Sequence, residues 1–220
     1  MSHARRWPVA ALVLLGGLLL ARPSVGQCLL ANPSFELPGS AGAVFAAWKQ
    51  FGAVGSSATA THGAVAARVS GPNTGAWDVS GYWQALDCAP GQQWTVSLDV
   101  RNPSLKPLTG GCQAIVNVEW RNASGGLISY ESHNVADAST ARDTSLRVTF
   151  QSLAAPAGTT SARVLLGVLQ GPTDPSPDVL YDHVTFVKSA EAGEHAASFQ
   201  LRCRIRQGGR VAEPLAEAAR

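Results

Sequence analysis

Beyond its first twenty residues this chain has no long apolar run, which removes a membrane-spanning helix from consideration. The one run present, Val9 to Leu20, is well short of the roughly 20 residues needed to cross a hydrocarbon core of about 30 Å. Arg5 and Arg6 precede it and Ser24-Val25-Gly26 follow it, the order of a secretory signal. The mature chain is therefore expected to begin at Gln27 and to be secreted, extracellular or periplasmic. An excess of charge of one sign is also missing. Loss of Arg5, Arg6 and Arg22 with residues 1–26 takes the 17 basic side chains to 14, against 15 acidic, a net of −1. That balance leaves no electrostatic footprint for nucleic acid. Cysteine is scarce: Cys28, Cys88, Cys112 and Cys203 contain no C-x-x-C pair, so zinc-ribbon and thioredoxin-like spacings are excluded. An exported chain permits disulfides, and four cysteines leave three pairings open. Catalytic signatures are absent too. There is no G-x-S-x-G elbow, no H-E-x-x-H and no phosphate-binding glycine loop, and the five histidines are dispersed. Helical periodicity is nearly absent after the signal, and no repeat of 20 to 50 residues is visible.

What is present is β-structure. Glycine (22) and proline (13) are scattered between short alternating segments, as in an all-β sandwich. Trp94, Val96, Leu98 and Val100 alternate with Thr95, Ser97, Asp99 and Arg101, so one face is core and the other wet. Ala114, Val116, Val118 and Trp120 alternate in the same way with Ile115, Asn117, Glu119 and Arg121, and Leu146, Val148 and Phe150 with Arg147, Thr149 and Gln151. Ala162 to Leu169 is apolar on both faces apart from Arg163 and reads as a central strand. Tyr82 to Cys88 and Val179 to Val187 bring the set to at least six. The expected architecture is an antiparallel two-sheet β-sandwich of jelly-roll type over residues 27–188. Residues 189–220 form an Ala/Glu/Arg-rich tail, read as solvated, with one β-like alternation at 198–206.

Several motifs occur in order along the sandwich region. Leu29-Leu30-Ala31-Asn32-Pro33-Ser34-Phe35-Glu36 is followed by Trp48 and by Thr61-His62-Gly63. Trp83-Gln84 then leads through Ala89-Pro90-Gly91 to Trp94-Thr95-Val96-Ser97-Leu98, and Tyr181-Asp182-His183-Val184 closes the series. Together they resemble carbohydrate-binding modules of the family 4/9 type, in the galactose-binding-like group, from about Cys28 to Lys188. The resemblance implies a non-catalytic domain that binds a polysaccharide or glycan chain on a concave sheet face. It also implies one structural calcium, and a separate glycoside hydrolase or cell-surface assembly as partner. The sequence departs from the pattern at His183, where the family has Asp or Asn.

Asp182 carries an argument of its own, because Leu180, Val184 and Phe186 share its parity and point to the core. A buried carboxylate needs a cation, an arginine or a cluster of backbone donors. The resemblance selects calcium, with Glu36, His62 and Asp182 and nearby main-chain carbonyls as the metal candidates. Sugar recognition needs flat aromatic faces and planar polar side chains that fork to hydroxyls. Trp77, Trp83, Asp99, Arg101, Asn117, Glu119, Arg121 and Tyr130 are the candidates for that role, while Trp48, Trp94 and Trp120 are assigned to the core. Two rival readings stand beside it. One is a structural or adhesive sandwich without a sugar site. The other is a glycosidase with Glu119 and Glu131 as its carboxylate pair.

Overall fold

A computed structural model describes residues 29–189. The signal segment, Cys28, Cys203 and the alternation at 198–206 lie outside the described residues. Ten strands are present and no helix occurs among these residues: β1 (Lys49–Phe51), β2 (Val54–Ser57), β3 (Ala66–Ser70), β4 (Asp78–Asp87), β5 (Trp94–Arg101), β6 (Gln113–Arg121), β7 (Leu127–Ala136), β8 (Ser145–Gln151), β9 (Ser161–Gln170) and β10 (Asp178–Lys188). They form two antiparallel five-stranded sheets. Sheet I runs β1-β4-β9-β6-β7 and sheet II runs β2-β3-β10-β5-β8. This is the expected β-sandwich, with β9 central in sheet I. The strands absent from the sequence reading are β1, β2, β3 and β7. The first three are short, and β7 carries Ser129, Tyr130, Glu131, Ser132, His133 and Asn134, too polar for a hydrophobic alternation to show.

Alternation sets the core. Trp94, Val96, Leu98 and Val100 of β5 face Ala162, Val164, Leu166 and Val168 of β9 and Ala114, Val116, Val118 and Trp120 of β6, all buried in one cluster. Trp94 lies flat on Phe186, ring centroids 4.5 Å apart. Trp48 is buried against Phe35 and donates from Nε1 to the Asn32 carbonyl at 2.9 Å. The opening segment ties the sheets together at one side. Val184 N donates to the Pro33 carbonyl in sheet II, and the Gln84 side chain exchanges two hydrogen bonds with Ala31 in sheet I.

One parity expectation is corrected. Asp182 does not share a face with Val184 and Phe186, because β10 slips register against β5 between Asp182 and Thr185. His183 takes a left-handed φ of 46° there, so a bulge exchanges the two faces midway along the strand. Val179 and Tyr181 point inward before the bulge, and Val184 and Phe186 after it. Asp182 points outward from sheet II beside Asp99, and its exposure is nonetheless only 2%.

Candidate functional site

The two outer faces divide the sequence candidates. On sheet I, cross-strand register places Lys49, Trp83, Leu165, Asn117 and Ser132 in one row, and Ala85, Arg163, Glu119 and Tyr130 in the next. Directly paired residues share a face, so Trp83, Asn117, Glu119, Arg121 and Tyr130 all project from the same side. The row on the other side of Trp83 holds Gly81 opposite Gly167. A Cβ on Gly81 would run into the Leu166 carbonyl, and one on Gly167 would come within 2.9 Å of Val79 Cγ1, so the side chains of Val79, Leu165 and Ile115 close over Gly167. Although they point away from the core, Leu165 and Ile115 are only 6% exposed and Glu119 only 9%. Neighbouring side chains on the outside of the sheet therefore shield these three residues.

Polar contacts on this face converge on Glu119. Its Oε2 accepts from Arg121 Nη2 at 2.7 Å and Nε at 3.0 Å, and lies 3.3 Å from Arg163 Nη1. The Arg163 guanidinium sits over the Trp83 ring, 3.8 Å from its centroid. Desolvation lowers the Arg163 pKa; attraction from Glu119 opposes that shift and repulsion from Arg121 adds to it. Two polar atoms here, Arg163 Nε and Asn117 Oδ1, are buried without a hydrogen-bond partner. Such groups cost about 1–3 kcal/mol each when left unmet. Tyr130, opposite Glu119, is 58% exposed. Trp77 is 59% exposed and lies at one end of this sheet, its six-membered ring beside Gly111 and Gly171. Arg163, the residue of this cluster absent from the candidate set, was signalled only by being the single charge in an otherwise apolar strand.

Asp99 and Arg101 do not join this cluster. They belong to β5 and project from sheet II, where each has a separate partner: Asp99 with Arg147 at 3.1 Å and Arg101 with Asp143 at 3.3 Å. Glu119 and Glu131 are not a glycosidase pair either. Glu119 pairs with Tyr130, so the next residue, Glu131, turns to the opposite face of sheet I, where it accepts from Leu153 N at 3.0 Å.

The metal candidates also lie at sheet II. Asp182 Oδ2 accepts from Thr61 N at 2.7 Å, His62 N at 2.8 Å and Thr61 Oγ1 at 3.1 Å, and Oδ1 from His183 N at 2.6 Å. The Thr61–His62 loop thus covers the carboxylate and accounts for its burial. Glu36 Oε1 accepts from Ala64 N and Val65 N, each at 3.0 Å, and these bonds, Val65 first, hold its pKa below the ordinary carboxylate value. His62 contributes its main-chain N–H, and its ring stacks on His183 at 4.8 Å. Backbone donors therefore satisfy both carboxylates, the metal-free alternative among the three open to Asp182. Among the described residues no three His, Cys, Asp or Glu side chains group closely enough to hold a metal ion.

No protein-family model matches this chain, and no curated protein matches it. Solved structures do. The tailspike protein 4 enzymatically active domain of bacteriophage CBA120 aligns at 13% identity and a TM-score of 0.53, over 74% of this chain and 21% of that one. The CBM22-1 xylan-binding domain from Paenibacillus barcinonensis Xyn10C aligns at 19% identity and a TM-score of 0.50, over 76% of this chain and 97% of that one. TmCBM61, solved in complex with beta-1,4-galactotriose, aligns at 14% identity and a TM-score of 0.47. The chain spans about a fifth of the tailspike domain and nearly the whole of the xylan-binding domain. At these identities the likeness is one of fold alone: an all-β sandwich of two antiparallel five-stranded sheets.

Proposed function

We propose that this protein is a secreted, non-catalytic carbohydrate-binding domain of the family 4/9 type that holds a glycan chain across the outer face of sheet I. The observation that carries the reading is the convergence of Trp83, Arg163, Glu119, Asn117 and Tyr130 on one outer face of sheet I. Sugars present C–H faces to aromatic rings and vicinal hydroxyls to planar polar groups; on this face the exposed Tyr130 ring can serve the first need and the Arg163, Glu119 and Arg121 side chains the second, with the Trp83 ring backing the Arg163 guanidinium. The xylan-binding domain of similar fold adds support at the level of architecture. Separation of Glu119 from Glu131 by the sheet favours binding over hydrolysis.

Affinity electrophoresis of the mature chain against soluble β-glucans, xylans, mannans, galactans and polyuronates tests the reading. Retardation is expected on at least one glycan, and a folded sample retarded by none would favour the structural or adhesive sandwich. Trp83→Ala should abolish retardation while costing stability no more than about 1 kcal/mol. Trp94→Ala, which empties core volume against Phe186, should cost about 3–5 kcal/mol. Export is part of the same proposal, with the secreted chain expected to begin at Gln27.

Calcium is not required to satisfy Glu36 or Asp182. A calcium ion completing its shell at their remaining lone pairs and main-chain carbonyls is proposed on the sequence resemblance alone.

A further inference from the structure

We infer that the glycan taken by sheet I is acidic, with a uronic acid carboxylate accepted by the Arg163 guanidinium beside Trp83. This rests on the reading that the face binds a glycan and adds the class of sugar.

Three observations carry it. The first is the ratio of charges. Arg121 and Arg163 both lean on a single carboxylate oxygen, Glu119 Oε2, and Lys49 stands directly opposite Trp83 on the neighbouring strand. Three cations thus flank a face whose register supplies two acidic side chains, Glu119 and the rim residue Asp87. The surplus is local, because the chain without its signal segment has one more acidic side chain than basic. On sheet II the outward arginines are matched one to one: Arg68 with Asp178 at 3.9 Å, Arg101 with Asp143 at 3.3 Å and Arg147 with Asp99 at 3.1 Å.

The second observation is what covers Trp83. A neutral sugar would use the flat ring as a stacking surface, but the guanidinium lies 3.8 Å from the centroid and takes one face of it. Stacking holds the guanidinium plane in a fixed orientation, and an oriented guanidinium is a two-pronged donor suited to a carboxylate. Recognition at this ring therefore passes through the cation.

The third is unspent donor capacity. Arg121 uses Nε and Nη2 on Glu119 and Nη1 on the Gly125 carbonyl at 2.8 Å. Arg163 reaches Glu119 only through Nη1, at 3.3 Å, which leaves its Nη2 edge to serve a ligand, while its Nε is buried. Its side chain retains 18% of its surface, so the cation is largely stripped of water without a carboxylate of its own. Arg68 Nε is also unmet, but that guanidinium shares its carboxylate, Asp178, with no second cation and is 42% exposed to water. The shared carboxylate is what singles out Arg163. A uronate carboxylate forming charge-assisted bonds to it would restore the one-to-one ratio seen on the other sheet.

The test is isothermal titration of the mature chain with polygalacturonate, its fully methyl-esterified form, glucuronoxylan and an unsubstituted xylan, at low and high salt. Polygalacturonate or glucuronoxylan should bind at least about tenfold more tightly than the uncharged counterpart, and high salt should erase most of that preference. Arg163→Gln should remove the preference, and Arg163→Lys should restore only part of it, because an ammonium keeps the charge and loses the fork. Equal affinity for esterified and free forms, unaffected by salt, would overturn the acidic inference and leave the glycan reading standing. No binding to any of the four or to the wider neutral panel would overturn both. Esterification and salt need no variant, so a poorly folding Arg163→Gln protein leaves the question decidable.

Discussion

Sheet I and sheet II present outward faces of similar composition, each with arginines, carboxylates and hydroxyls on a β-surface, yet they use them differently. On sheet II the charges are closed: each outward arginine has an acidic partner, and Asp182 is covered by the loop whose N–H groups it accepts. On sheet I two guanidiniums divide one carboxylate, a tryptophan ring lies beneath one of them, and two polar atoms go unmet. A face whose charges are matched one to one serves stability. A face on which two cations share one carboxylate has a cation to offer a ligand.

The largest expected effect lies on the closed face. Asp182→Ala would strand the N–H groups of Thr61, His62 and His183 and should lower unfolding stability by about 2–4 kcal/mol, with the glycan affinity of any folded sample unchanged. Denaturant melts read the first quantity and titration the second. A loss of affinity in a folded Asp182→Ala sample would show that the two faces are not independent. The same melts in excess calcium and excess chelator decide the calcium proposal. A rise of several degrees with calcium supports it, and coincident curves remove it.

An intermediate effect is expected on the open face. Glu119→Gln leaves Arg121 and Arg163 close together with no anion between them, which should cost about 1–2 kcal/mol. It also frees both guanidiniums for a ligand, so affinity for a polyuronate should rise about threefold or more at low salt while that for neutral xylan does not. Weaker polyuronate binding in this variant would assign Glu119 a direct contact with the sugar instead. The smallest effect belongs to Arg147→Gln, which removes a partly exposed ion pair from sheet II. It should change stability by about 1 kcal/mol or less and leave binding unaltered, and a measurable loss of affinity would show that sheet II takes part in recognition.

Much of this molecule is legible without coordinates where a strand has one apolar face. Trp94, Trp120 and Trp48 are core as expected, and Trp83 is outward, because a side-chain period of two leaves no choice once the buried face is known. Legibility fails at β7, whose polar side chains conceal a strand, and at β10, where the His183 bulge puts Asp182 on the face opposite to the one its spacing from Val184 implies.

What the sequence determined by itself is therefore the inside and outside of each regular strand, and with it the two-sheet class, since alternation is a local property of the chain. Which outward residues meet was decided by tertiary structure alone. Asp99 and Arg101 read like Glu119 and Arg121, each pair outward on a strand beside core residues, yet the first pair belongs to sheet II and the second to sheet I. Neighbours across a sheet come from strands distant in sequence: Trp83 lies 80 residues before the Arg163 that stacks on it, and Glu119 lies between them in the chain. Strand order sets those encounters, and strand order follows from packing the whole set of apolar faces into one core, which no single segment encodes.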